Sequence, residues 1–130
     1  MIKAQLQLGS NANSRRQNLE RAVEILAKDF RILKISAVVE SQDVTGGPTI
    51  FVNQLLEIET DFTADELHLH CKQIEASFGH RTPIVTHMEV VRSCTQIIPL
   101  DIDLVIYDSK ILKPADINRP YYRTILAQGF

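Results

Sequence analysis

With 130 residues, 45% of them hydrophobic and 23% charged, and a net charge of −2, the chain excludes disorder and gives no reason to expect a nucleic-acid partner. Its apolar runs are far too short to span a bilayer, its first residues lack the charged-then-apolar pattern of a secretion signal, and Cys71 and Cys94 are spaced neither as a disulfide framework nor as a zinc site. The sequence therefore predicts one cytoplasmic domain over residues 1–130, with reduced thiols and no membrane partner; it is silent on oligomeric state.

Ile2, Ala4, Leu6 and Leu8 alternate with Lys3, Gln5 and Gln7, the pattern of a strand with one buried face. A turn at Gly9–Asn13 follows. Ser14-Arg15-Arg16-Gln17 matches a capping box, and Leu19, Ala22, Val23 and Leu26 recur at helical spacing, predicting a helix from about Ser14 to Asp29. Ile32–Val39 reads as a second strand, Ser41–Thr49 as a loop around Gly46-Gly47-Pro48, and Phe51–Glu59 as a third strand. Thr63-Ala64-Asp65-Glu66 is another capping box, opening a helix through Leu67, Cys71, Ile74 and Phe78 that Gly79 stops. Within the flap His80–Gln96, Val85–Val91 suits either a strand or an ordered piece of loop. Ile97–Tyr107 reads as a strand. The order strand, helix, strand, strand, helix, strand predicts an α+β fold: the ferredoxin-like split βαβ, an antiparallel sheet with helices packed on one face.

Leu100-Asp101-Ile102-Asp103-Leu104 carries the sharpest chemical signal. Alternation puts Asp101 and Asp103 on one face of the strand and the apolar residues on the other. Two neighbouring carboxylates repel, and a hard divalent cation relieves that repulsion; Mg²⁺ is typically held by one or two carboxylates plus substrate phosphates. The alternative is a pair of solvated acids on an exposed sheet face. Phe51 and Asn53 also share a face and suit stacking on, and hydrogen bonding to, a flat heterocycle, or else a half-buried ring and a strand-end amide. Arg81 and Arg92 in the flap could grip phosphates or stand in solvent, and Glu75 could pair with Lys72 across one helical turn. No Cys or acid stands at ligand spacing from His68, His70, His80 or His87, which argues against a histidine metal site.

Taken together, these segments resemble the 6-hydroxymethyl-7,8-dihydropterin pyrophosphokinase family over nearly the whole chain. The matching pieces are Leu8-Gly9-Ser10-Asn11 with Asn18-Leu19, Phe51-Val52-Asn53, Leu56-Glu57-Ile58-Glu59-Thr60-Asp61, Glu66-Leu67, Ile74-Glu75 before Gly79, and Pro99–Tyr107. The resemblance implies transfer of the terminal pyrophosphate of ATP to the hydroxymethyl group of 6-hydroxymethyl-7,8-dihydropterin in folate biosynthesis. It further implies two Mg²⁺ ions on Asp101 and Asp103, which would make these the catalytic and metal-binding residues. By the same match Asn53 would read the pterin edge and Phe51 and Phe130 would wall it, with Ser41 and Val44 as loop contacts. Lys72, Glu75, Leu104 and Tyr122 would lie around the nucleotide, together with the flap cations Arg81 and Arg92.

The sequence also departs from the family pattern. Gln96-Ile97-Ile98-Pro99 stands where members usually carry Gly-Pro-Arg-Thr, so Ile98 occupies the place of a phosphate-gripping arginine. The flap is longer and has no tryptophan, Pro120-Tyr121-Tyr122 replaces a usual Pro-His-Tyr, and Gln42-Asp43 stands where prolines are common. The chain ends at Phe130, some tens of residues before members usually do. Arg81, Arg92, Arg119 and Arg123 are the cations available to compensate. The alternative function is therefore a catalytically weak or inactive module on the same fold, binding a pterin, a nucleotide or a protein.

Overall fold

The computed structural model describes residues 1–42, 49–83 and 96–130. Strand β1 (Ile2–Ser10) leads into helix α1 (Arg15–Asp29), β2 (Arg31–Ile35), β3 (Val39–Gln42) and the long β4 (Ile50–Thr60). Helix α2 (Ala64–Ala76) follows, then the short pair β5 (Thr82–Pro83) and β6 (Gln96–Ile97), β7 (Asp101–Tyr107), β8 (Lys110–Ile111), α3 (Pro114–Ile117) and α4 (Pro120–Ala127). The main sheet is antiparallel, in the order β2-β4-β1-β7-β8, with β3 also paired to β4. Because β4 lies between β1 and β2, the two strands joined by α1 are not neighbours. That is the split βαβ arrangement expected from the element order.

Strand alternation sorts the side chains by face. Ala4, Leu6 and Leu8 of β1, Val52, Leu56 and Ile58 of β4, and Ile102 and Leu104 of β7 form the main core. Leu19, Ala22 and Leu26 of α1 and Leu67, Cys71 and Ile74 of α2 pack onto them. The two predicted helices thus share one face. The other face is only partly bare: α4, which periodicity did not reveal, closes a second cluster of Leu55, Val105, Tyr121, Tyr122 and Ile125. Among the described residues no helix is long and apolar enough to cross a membrane.

Several boundaries move for identifiable reasons. The single strand predicted at Ile32–Val39 is two strands. At the break Ser36 takes over a ladder position: its hydroxyl accepts from the Leu55 N–H (2.9 Å), while the Gln54 side chain donates to its carbonyl (2.8 Å). Ser41 and Gln42 belong to β3 rather than to the loop. The strand predicted from Ile97 is interrupted at Ile98–Leu100, where the β1–α1 turn takes over the backbone. Asn11 accepts from the Ile98 N–H (2.6 Å) and donates to the Gln96 carbonyl (2.8 Å), and Asn18 donates to the Pro99 carbonyl (3.0 Å). The capping box expected at Ser14 is absent, because Ser14 Oγ turns to Asn18 instead. The box at Thr63 and Glu66 forms with both bonds. Gly79 ends the helical region with φ of +116°, a conformation that suits glycine. The possible strand at Val85–Val91 and its neighbours His87 and Cys94 lie outside the described residues.

Candidate active site

Three adjacent strands build the site on the sheet face opposite the main core. Antiparallel register places Gly9 of β1 between Asn53 of β4 and Asp101 of β7, and Gln7 between Leu55 and Asp103. Ser41 of β3 pairs with Phe51. Over these strands lies a cavity of about 150 Å³ that gathers Ser41, Phe51 and Asn53 at one side and Asp101 and Asp103 at the other. Gly9 forms part of the floor: a Cβ there would stand 3.7 Å from Asn53 Oδ1 and 4.0 Å from the Phe51 ring. The missing side chain therefore leaves space between the aromatic residue, the amide and the acids.

Asn53 is buried, and its amide nitrogen donates to the Val39 carbonyl (3.1 Å) and to Ser41 Oγ (2.8 Å). Ser41 thus orients Asn53, and Oδ1, over Gly9, is the amide's remaining functional group. Asp103 is pushed up from 3.8 to about 7, first by burial and then by the Asp101 charge and a hydrogen bond with the Asp101 carboxyl; Asp116 adds to the rise and Lys72 opposes it. The two acids crowd one another as their spacing predicted. Among the described residues no group of three or more His, Cys, Asp or Glu side chains could hold a metal ion. A pair of carboxylates with no third protein ligand suits Mg²⁺, which completes its shell with water and phosphate oxygens, better than it suits zinc.

A chain of charges borders the pair. Arg81 donates to Asp101 Oδ1 at 2.9 Å and stands 3.9 Å from Glu75. Lys72 donates to Glu75 at 2.8 Å, and the same carboxylate accepts from the Ile102 N–H at 3.2 Å. Burial lowers the Lys72 pKa, but its bond to Glu75 and the charges of Glu75, Asp101 and Asp103 outweigh it, so the net shift is upward. Lys72, Glu75 and Arg81 thus stand beside the acids without lining the cavity.

Three expected site residues stand elsewhere. Leu104 is buried in the main core, because it alternates with Asp103 onto the opposite face. Tyr122 is buried with Leu55, Val105 and Ile125, and its hydroxyl donates to Gln5 Oε1 at 2.5 Å; the neighbouring Tyr121 lines the cavity instead. Phe130 does not border the cavity with Phe51 and Asn53. It lines a separate one with Lys34, Ile35 and Gln128, and Lys34 donates to its carbonyl at 3.3 Å. Val44 and Arg92 lie outside the described residues.

The sequence reading missed three lining residues, Gln7, Asp116 and Tyr121, and named a fourth, Arg119, only as one of four cations that could compensate for the missing arginine. Gln7 donates to the Tyr121 hydroxyl, and burial raises that phenol to about 12. Arg119 Nε donates to Asp116 Oδ1 at 3.4 Å. Two signals were available. Gln7 shares the polar face of β1 with Gln5, and Pro114 and Pro120 are first-turn prolines that announce α3 and α4. Ile98 also lines the cavity, next to the acids.

No curated protein matches the chain. The model of the 7,8-dihydro-6-hydroxymethylpterin-pyrophosphokinase (HPPK) family matches residues 5–128. A match of that extent, over a chain whose strands bring an aromatic residue, an amide and two acids into one cavity, assigns the protein: it belongs to the HPPK family, the pyrophosphokinases of folate biosynthesis.

Proposed function

We propose that the protein transfers the terminal pyrophosphate of ATP to the hydroxymethyl group of 6-hydroxymethyl-7,8-dihydropterin. The observation that carries this reading is the single cavity joining Phe51 and Asn53 to Asp101 and Asp103. In the reaction the substrate hydroxymethyl oxygen bonds to the β-phosphorus and the bond from that phosphorus to the α–β bridging oxygen breaks. AMP leaves with the bridging oxygen, and the hydroxyl proton passes to water. Phosphoryl chemistry of this kind depends mostly on alignment and charge neutralisation.

Asp101 and Asp103 would hold the two Mg²⁺ ions, which would offset the charge of the triphosphate. Phe51 offers its ring to the pterin plane, and Asn53 Oδ1, fixed by Ser41, accepts from an N–H on the pterin edge. Lys72, Glu75 and Arg81 border the nucleotide, with Arg81 exchanging Asp101 for a phosphate oxygen as ATP arrives. A titration of the pterin in the presence of Mg²⁺ and α,β-methylene-ATP, followed by calorimetry, tests the arrangement. Binding that Phe51→Ala and Asn53→Ala each weaken at least tenfold is expected, and a pterin that does not bind refutes it.

A second reading, a binding module without turnover, has one observation in its favour: an isoleucine, Ile98, lines the cavity beside the acids, where a cation would serve phosphate transfer. The two readings part at AMP release, which an enzyme couples to pterin consumption and a binding module does not produce.

A further inference from the structure

The transferred group carries the charge of two phosphates, yet the cavity that would receive it is lined by three carboxylates, Asp101, Asp103 and Asp116. Among the described residues lining it there is one cation, Arg119. Arg119 immediately precedes α4 and packs where α3 and α4 meet the sheet, so the two short C-terminal helices bring it over the acids. Its side chain is about one-third exposed, and its ion pair to Asp116 uses Nε alone at a long 3.4 Å. A guanidinium has two further nitrogens in a planar fork that matches phosphate oxygens. Arg123, one helical turn further on, is exposed and does not line the cavity.

We propose that Arg119 grips the β- and γ-phosphoryl group during transfer and that Asp116 holds it in reserve until that group arrives. The proposal rests on the pyrophosphokinase reading for the identity of the reaction. The subsite itself, a pyrophosphate-binding guanidinium beside paired acids, can be tested separately. Arg119 is the cation on the cavity side of the acids, whereas Arg81 approaches Asp101 from the Glu75 side.

The probe is inorganic pyrophosphate with Mg²⁺, titrated into the full chain by calorimetry, alongside AMP formation from ATP and the pterin. Arg119→Ala should weaken pyrophosphate binding about 10- to 100-fold, the range for losing hydrogen bonds to a charged group, without changing the melting temperature by more than a few degrees. Arg119→Lys should recover part of the loss. Asp116→Asn should tighten binding by releasing the guanidinium, and the double variant Asp116→Asn/Arg119→Ala should lose that gain. If Arg119 matters only as a structural partner of Asp116, both single variants will weaken binding alike, and the proposal is overturned. Wild-type affinity in Arg119→Ala, or no pyrophosphate binding by the unmodified protein, overturns it as well. Arg119-dependent pyrophosphate binding without any AMP formation keeps the subsite and removes the pyrophosphokinase reading.

Discussion

Replacing Asp103 with Asn should raise stability and abolish turnover together. In the fold the Asp103 carboxyl is pushed from 3.8 to about 7, by burial first and then by Asp101. Below about pH 4 the group is protonated in both folded and unfolded chains and adds no pH dependence. Between about pH 4 and pH 7 the unfolded chain gives up the proton while the folded chain keeps it, so stability falls as pH rises and the full penalty is present at pH 8. A displacement of this size corresponds to roughly 4 kcal/mol at about 1.4 kcal/mol per tenfold, and solvent access to the pair reduces it to about 2 kcal/mol. For a chain of this length that is a melting-temperature gain of roughly 5–10 °C for Asp103→Asn at pH 8 and almost none at pH 4. Thermal melts of both proteins across this range measure it. Mg²⁺ with ATP should stabilise the wild type and leave the variant nearly unchanged, since a ligand that binds only the folded state raises its stability. A variant no more stable than wild type at pH 8 would mean that neither burial nor the neighbouring Asp101 penalises the Asp103 charge in the fold.

Three further substitutions probe the placement of the site. Leu104→Ala should cost about 2–5 kcal/mol in denaturant melts, as a truncation in a packed core does, with no loss of ATP affinity at a temperature where the variant is folded. Asn11→Ala should cost about 2–3 kcal/mol by leaving the Ile98 N–H and the Gln96 carbonyl without their partner, and should loosen Ile98 in hydrogen exchange. Gly9→Ala places a methyl in ordinary contact with Asn53 Oδ1 and Phe51, so calorimetry should find weaker pterin binding in a protein that melts within about 1 kcal/mol of wild type.

Much of this site was legible because strand alternation converts spacing directly into side-chain direction. Asp101 with Asp103, and Phe51 with Asn53, fell on shared faces by counting alone. Sheet register, which sequence spacing does not encode, then joined the two pairs across Gly9. The same alternation turns Leu104, which lies next to Asp103, onto the core face. Tyr122 and Phe130 were assigned by matching positions along the chain. At a helix, a shift of one residue turns a side chain by about a quarter of a turn or more, and it is Tyr121, not the Tyr122 assigned to the nucleotide, that lines the cavity. The breaks at Ser36 and Ile98 were not legible because side chains replace the sheet's own hydrogen bonds there. Ser36 and Asn11 are common polar residues in sequence, and only the folded chain brings them to distant backbone groups. Asp116 lies on α3 and Arg119 immediately before α4, helices of four and eight residues that are too short for a hydrophobic period to stand out.

The most direct test of the central claim is the fate of ATP. The protein, incubated with ATP, Mg²⁺ and 6-hydroxymethyl-7,8-dihydropterin, is followed by ³¹P NMR. Pyrophosphoryl transfer predicts AMP and a pterin pyrophosphate appearing in equal amounts, with neither formed when the pterin is omitted or when Asp103 is replaced by Asn. ADP as the nucleotide product, or ATP left intact by a folded protein that binds both substrates, would contradict it.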